Sequence, residues 1–394
     1  MRDLKRTATA ALGTAALATL AACGGGGGSA SVGDDESSPT ASGESKESKQ
    51  GAVNLGAVLP LTGASATIGE DQRRGIDLAV EQINENGGVL GKDLNVVVED
   101  SQGAAASALD AARKLVSVDN APVVIGEYSS GNTVPLGQFL QRQGIVHINP
   151  GSSSPEIADI GDMSFSTIGL DTIAGQFTAD AVYERGYETA AFLVPNNSYG
   201  EGVLKTFKQQ YEEIGGEITS EILYTEGQSD YRSELQRLAE GDPAVFVYSA
   251  YGQESAIINK QAFEMGLSDK PWFGIYLSMT TSDSDQATVE GQIGMDVNYI
   301  GPDGQSYEEA YKEEYGEDFA STFSGYTYDA VMLAAESIEM AGSAEPEEVA
   351  KAMAEVGKDF SGATGEISLD EDGQRTDQPY AVLEYQGGDL VPAP

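Results

Sequence analysis

The sequence predicts an α/β protein made of two doubly wound parallel-sheet lobes. Three observations predict it. From about residue 53, short apolar runs alternate with segments whose apolar residues recur at helical spacing. The alternation restarts after residue 163 in a second series of similar size, with no residue-level repeat between the two. The segments after the apolar runs ("PLTGASATIG", "EYSSGN", "NPGSSSP", "PNNSYG", "AYGQE", "YLSMTTSDSD") share Ser, Gly, Asn and Tyr. In open parallel sheets such post-strand loops line the ligand cleft.

Each element has its own local reason. "VNLGAVLPL" (53–61) is a Val- and Leu-rich run stopped by proline, a buried strand. In "EDQRRGIDLAVEQINENGG", Ile76, Ala79, Val80 and Ile83 fall on one helix face, and Gly87–Gly88 ends it. "LNVVVED" follows as a strand. "AAASALDAARKLVSV" is a helix with Leu109, Ala112, Leu115 and Val116 inward. "PVVIG", "TVPLGQFLQRQG" and "GIVHI" read as strand, helix and strand.

The second series opens with "MSFSTIGL" and the helix "DTIAGQFTADAVYERG". The strands "TAAFLVP", "EITSEILY", "AVFVYS" and "PWFGIY" alternate with the helices "EGVLKTFKQQYEEIGG", "YRSELQRLAEG" and "ESAIINKQAFEMG". Near the end, "GYTYDAVMLAAESIEMAG" places Val331, Ala334, Ala335, Ile338 and Ala341 on one face of a long helix. "GEISLDEDGQRTDQPYAVLEY" is expected to form two strands around a turn.

Residues 1–22 have the order of a secretory signal: Arg2, Lys5 and Arg6, then the uncharged "TATAALGTAALATLAA". The run is too short and too weakly apolar for a membrane span. It ends in "LAAC", and Cys23 is the only cysteine, so disulfides contribute nothing to the fold. Small residues before a single Cys resemble the lipobox of bacterial lipoproteins, which implies a lipidated Cys23 anchored to the cell membrane. The alternative is an ordinary cleavage site beside a chance Cys. Residues 23–52, rich in Gly, Ser and acids, cannot bury a core and read as a flexible tether. About 340 residues remain, a length that suits two lobes.

Sixty-three acidic residues against 22 Lys and Arg give a net charge of −41. Such a surface repels phosphates and anionic lipid, so nucleic acid is excluded as a partner. It suits a protein working in concentrated salt, or an ordinary acidic secreted one.

Catalysis finds no support. The single histidine, His147, lies within the apolar "GIVHI", and no Gly-x-Ser-x-Gly elbow surrounds any serine. There is no P-loop, and no G-x-G-x-x-G follows a strand. "DEDG" (370–373) lacks the EF-hand ligand series, and "SDSD" (282–285) is a loop. No enzyme activity, cofactor or metal is therefore expected. "INPGSSSPEI" (148–157) stays open between a polar turn and an anion site built from hydroxyls and loop N–H groups.

"LGAVLPLTGASATIGEDQRRGIDLAVEQINENGGVLGKDLNVVVEDSQG", "VVIGEYSSGNT", "INPGSSSPEI", "NNSYGEG", "VYSAYGQE" and "GATGEISLDEDG" together closely resemble the leucine/isoleucine/valine-type solute-binding proteins of ABC importers. The resemblance runs from about residue 53 to about 387. It implies a type I periplasmic binding protein fold with crossovers near 169–171, 298–301 and 365–367. Residues 53–170 and 300–366 would form lobe 1; residues 171–299 and 367–394 would form lobe 2.

By position, the resemblance assigns the ligand's α-carboxylate to Ser130 and Ser153, and its ammonium to the carbonyl of Gly151. Ser152 lies in the same binding loop. Tyr199 and Tyr251 match aromatic positions that cover the ligand. Read alone, Ser130 is also a helix N-cap and Ser153 a turn serine. Two positions depart from the pattern. Tyr276 stands where an acid pairs with the ammonium, and Ile68 where a tyrosine is common. The ligand thus stays open between an amino acid, an amine-free carboxylate and an amide. An ABC permease is the expected partner and a monomer the expected state. A sensory binding module and a hydrolase are the alternatives.

Overall fold

Strand residues alternate sides, and in this chain both sides are apolar, so each sheet must be covered twice. The computed structural model, which describes residues 51–297 and 301–394, resolves that demand into two sheets flanked by helices. The expected signal (1–22), Cys23, the tether up to Gln50 and the crossing at 298–300 lie outside the described residues.

The first series gives β1 (Ala52–Leu59), α1 (Ala66–Glu85), β2 (Asp93–Asp100), α2 (Ala105–Ser117), β3 (Val123–Gly126), α3 (Ser130–Gln143), β4 (Val146–Asn149) and β5 (Ser164–Ser166). These strands form one parallel sheet in the order β2-β1-β3-β4-β5. Leu55, Ala57 and Leu59 of β1 face Ile76 and Ala79 of α1, while Val58 faces Leu115 of α2 and Leu136 of α3. A Cβ on Gly56 would lie 2.9 Å from Leu115 Cδ1, so glycine lets α2 approach the sheet.

The second series begins with α4 (Asp171–Glu184), β6 (Thr189–Pro195), α5 (Ser198–Glu213), β7 (Glu217–Tyr224), α6 (Arg232–Leu238) and β8 (Val245–Tyr248). It continues with α7 (Gly252–Glu264), β9 (Trp272–Ile275), α8 (Leu277–Thr281), α9 (Gln286–Val289) and β10 (Ile293–Val297). Its parallel strands repeat the first topology, in the order β7-β6-β8-β9-β10. Here Phe192 and Val194 pack on α5, and Ala191 and Leu193 pack toward α6 and α7.

The chain then returns to the first lobe. It adds α10 (Gly301–Tyr315), α11 (Phe323–Ala341), α12 (Pro346–Val356), β11 (Phe360–Gly362) and β12 (Gly365–Ile367). Val331, Ala334 and Ile338 of α11 seal the α1 side of the first core. Finally β13 (Tyr380–Gln386) and β14 (Asp389–Pro392) extend the second sheet with antiparallel strands.

The tail differs from expectation in two respects. The anticipated hairpin between "GEISL" and "YAVLEY" does not form: β12 pairs with β11 in the first lobe, and β13 pairs with β10 and β14 in the second. The crossing expected at 365–367 is therefore strand β12, and the chain joins the second sheet only at Tyr380. The cause is a set of anchors on the first lobe. Gln374 Oε1 accepts from Ser166 Oγ at 2.7 Å, and Ser166 N–H donates to Gly373 O at 3.0 Å. Arg375, buried, spends its donors on the carbonyls of Thr167, Thr364, Glu366 and Asp377 and on Thr364 Oγ1.

Buried titratable groups make this fold pH-sensitive. Asp71 accepts from Tyr311 Oη (2.7 Å) and Ser321 N (2.8 Å), tying α1 to the segment before α11. Asp329 holds the β11–β12 turn through Ala363 N at 2.6 Å, and Asp296 holds Ser278 N at 2.6 Å. Burial outweighs these bonds and pushes each carboxyl up to about 6. His147 is opposite: burial holds its imidazole down at about 4.

An acid with a raised native pKa binds protons that the unfolded chain has released, so its stabilisation is full at low pH and declines between the unfolded and folded values. Buried His147 contributes stability that is full above its unfolded value and is lost as pH falls toward about 4. Several acids act against one histidine, and the histidine has finished titrating near neutrality. The melting temperature at fixed salt is expected to fall from about pH 5 to about pH 8. A flat or rising profile would contradict these assignments.

Candidate ligand-binding site

The shared strand order puts the switch point of each sheet between its first and third strands, where loops diverge and leave a crevice. In the first lobe, Glu127 organises the turn after β3. Its carboxylate accepts from Ser101 Oγ at 2.6 Å and from Ser129 N at 2.8 Å. That turn delivers Ser130 as the first residue of α3, where backbone N–H groups lack intrahelical acceptors.

The loop after β4 is shaped by Asn149. Its Oδ1 accepts from Ser152 N (2.8 Å) and its Nδ2 donates to Ser152 O (2.6 Å). The three serines then separate. Ser152 turns into the lobe, bonded to Thr133 Oγ1 and to Tyr128 O. Ser153 faces the cleft, and Ser154 caps the short 3₁₀ turn Pro155–Asp159 by accepting from Glu156 N at 3.4 Å. Ser130 Oγ accepts from Ser154 N at 3.3 Å, joining the two loops.

The second lobe supplies aromatic rings from the same kind of position. Tyr199 lies in the first turn of α5 and shares a hydrogen bond with Ser249 Oγ at 2.8 Å. Tyr251 precedes α7, and Asn197 Nδ2 donates to its hydroxyl at 3.4 Å. Tyr276 follows β9 with φ +56°, a left-handed conformation rare for a bulky side chain, and its hydroxyl lies 3.1 Å from that of Tyr380.

Ser130, Gly151, Ser153, Tyr199, Tyr251 and Tyr276 surround one cavity of about 10 Å³. That is the space of about one water molecule, so the lobes are closed down on the site's own side chains. Ser152 and Ile68 do not line it. Ser152 is spent on the loop, and Ile68 is buried in the apolar cluster that also holds Tyr128, Met279 and Phe323. These last three line the cavity as well, and sequence reasoning did not single them out. Tyr128 meets Tyr251 and Phe323 edge-on, with ring centroids 5.4 and 5.0 Å apart, so it bridges the two lobes. Glycine at 151 is required by space, because a Cβ would approach Tyr128 Cα to 2.9 Å.

The cavity thus has a polar pole of two hydroxyls and loop backbone, and an apolar body of aromatic rings. Burial raises Tyr128, Tyr199, Tyr251 and Tyr276 well above the usual phenol range, so all four stay neutral. One further residue had no signal in the motif set. Asp171, at the start of α4, is fully buried, and among the described residues neither carboxylate oxygen has a donor in hydrogen-bond geometry. Burial pushes it up to about 8, with the Ser153 hydroxyl pulling weakly the other way.

Across the cleft mouth the lobes are latched. Gln253 N–H donates to Ala64 O at 3.1 Å, and Thr67 Oγ1 donates to Asp283 Oδ1 at 2.7 Å. The arrangement closes a small pocket between two lobes. Among the described residues no cluster of His, Cys, Asp or Glu could hold a metal, and no helix is long and apolar enough to cross a membrane.

Comparison with known proteins points the same way. The chain matches the periplasmic binding protein family over residues 52–389. It is 29% identical over 352 residues to a Leu/Ile/Val-binding protein homolog of Brucella suis, spanning 85% of this chain and 91% of that one. A branched-chain amino acid transporter substrate-binding protein of Streptococcus pneumoniae, solved with isoleucine, superimposes with a TM-score of 0.78 at 24% identity, covering 86% of this chain and 98% of that one. A solute-binding protein of an ABC transporter from R. palustris, solved with benzoate, gives 0.79 at 22% identity, covering 87% and 95%.

Proposed function

Because the chain belongs to the periplasmic binding protein family, we propose that it is the extracytoplasmic solute-capturing component of an ABC importer. Its ligand is a small carboxylate with an apolar body, either an amino acid or an amine-free relative. The observation that carries this reading is the convergence of Ser130, Ser153, Tyr199 and Tyr251, from two separate lobes, on one small cavity. Hydroxyls and helix-terminal N–H groups satisfy a desolvated carboxylate, and the rings cover the rest of the molecule. Relatives named for leucine, isoleucine and valine, and structural neighbours holding isoleucine or benzoate, support the same class.

No bond is made or broken. The ligand contacts both lobes only when they are closed, so its binding energy shifts the open–closed equilibrium toward the form a permease reads. The lipobox-like "LAAC" supports anchoring through Cys23, with residues 23–52 as the tether. Hydrolysis has no support at the site: the single histidine, His147, is bonded to Ser164 Oγ and to Gly126 O inside the first lobe.

Thermal unfolding with millimolar leucine, phenylalanine, benzoate, phenylacetate, glutamate, acetamide and urea tests the proposal. A ligand at 100 times its Kd stabilises by about 2.7 kcal/mol, which moves the transition visibly. A shift with apolar carboxylates supports the reading. No shift with any of them, or a shift confined to urea and acetamide, overturns it.

A further inference from the structure

The cavity lining contains hydroxyls, rings, a glycine and a methionine, but no carboxylate. An ammonium group placed there would be desolvated with only a carbonyl and hydroxyls for partners, a costly arrangement. Tyr276 occupies the position where the acid was expected, and its hydroxyl is engaged with Tyr380.

Asp171 is the complementary anomaly. A fully buried carboxyl with two oxygens lacking donors is rare in a native protein and signals either a bound proton or a missing cation. The first crossover sets it against the polar pole: Asp171 N–H donates to Ser153 O at 2.6 Å, and the Ser153 hydroxyl is near enough to pull the carboxyl's pKa down without standing in hydrogen-bond geometry to either oxygen. From α5, a Cβ on Gly202 would lie 3.1 Å from Oδ2, so glycine there makes room for the carboxylate.

Among the described residues no cation pairs with Asp171. Arg375 directs all five of its N–H groups to other acceptors. The titratable groups whose charges couple to Asp171 are phenols: Tyr199 of α5, Tyr276 after β9 and Tyr380 of β13. An α-amino acid carries its opposite charges on adjoining atoms. A cation subsite must therefore adjoin the carboxylate subsite, as Asp171 adjoins Ser153.

We infer that Asp171 is the counter-charge for the ligand's ammonium group, and that the cleft selects α-amino acids over amine-free carboxylates. This rests on the carboxylate-binding reading above. Without ligand, Asp171 holds a proton at neutral pH, since burial raises it to about 8. An arriving ammonium displaces that proton, and the carboxylate remains as its partner. Amino-acid binding near pH 7 then releases close to one proton, and affinity rises with pH until Asp171 is ionised. An amine-free carboxylate would behave oppositely, favouring the protonated acid.

The experiment is calorimetry of the whole protein with leucine and phenylalanine, paired with 4-methylpentanoate and 3-phenylpropanoate, in buffers of different ionisation enthalpy. Wild type is expected to prefer the amino acids and to release a proton on binding them. Asp171→Asn is expected to weaken amino-acid binding by at least about 30-fold, to abolish proton release, and to leave the amine-free acids unchanged or tighter. Equal loss for both ligand classes would assign Asp171 a purely structural role and overturn the inference. Wild type binding both classes equally, with no proton release, would overturn it without recourse to the variant. If the amine-free acids bind and the amino acids do not, the inference fails while the carboxylate-binding function stands. If no member of either pair binds wild type, both fail.

Discussion

Replacing Ser130 by alanine is expected to weaken ligand binding by about 10- to 150-fold, the range for losing one hydrogen bond to a charged group (about 1.5–3 kcal/mol). The loss should fall on affinity rather than on folding. Within the protein, Ser130 Oγ accepts only a long bond, 3.3 Å from Ser154 N, while the turn itself is held by Glu127 and Ser129. Titration calorimetry with the ligand that shifts melting most, alongside unfolding of the ligand-free variant, separates the two effects. A change in affinity under about threefold would remove Ser130 from the carboxylate site.

Gly252→Ala is expected to act on closure. Gly252 has φ +41°, and a Cβ there would stand 2.5 Å from the backbone carbonyl of Ala64. Ala64 belongs to the β1–α1 loop of the opposite lobe, so opening the cleft relieves the clash. Opening also breaks the Gln253–Ala64 hydrogen bond and separates Thr67 from Asp283. A ligand must then supply the energy of forcing the lobes together. Affinity is expected to fall at least about tenfold for every ligand alike, and small-angle scattering should show a reduced contraction on ligand addition. The left-handed conformation adds about 1–2 kcal/mol of strain, which lowers the ligand-free melting temperature modestly. Undiminished contraction with wild-type affinity would show that this contact does not limit closure.

The sheets were legible because their residues obey local periods. Thr189–Pro195 is an almost continuous apolar run and Glu217–Tyr224 carries Ile, Thr, Ile, Leu and Tyr, and both fold as strands. The cleft loops were legible because post-strand Gly, Ser, Asn and Tyr have a chemistry that core residues lack. What was hidden depends on contacts distant in sequence. In "GSSSP", nothing local distinguishes Ser152, which turns inward to Thr133, from Ser153, which faces the cavity. Tyr128 and Phe323 are ordinary core aromatics until the lobes meet and their rings close over the ligand space. Asp171 reads as an acid at a helix start, a favourable place for any carboxylate. Only its burial against Ser153, without a cation, gives it significance. The late third crossing was likewise unreadable, because Gln374 and Arg375 hold the tail to residues some 200 positions earlier.

A crystal structure of the protein with its strongest stabilising ligand examines the binding geometry atom by atom. The account places the ligand's carboxylate oxygens within about 3 Å of Ser130 Oγ and Ser153 Oγ, with its apolar body between Tyr199 and Tyr251 and the lobes closed. A ligand seated outside this cavity, or one whose carboxylate faces the second-lobe tyrosines instead of the two serines, would contradict it.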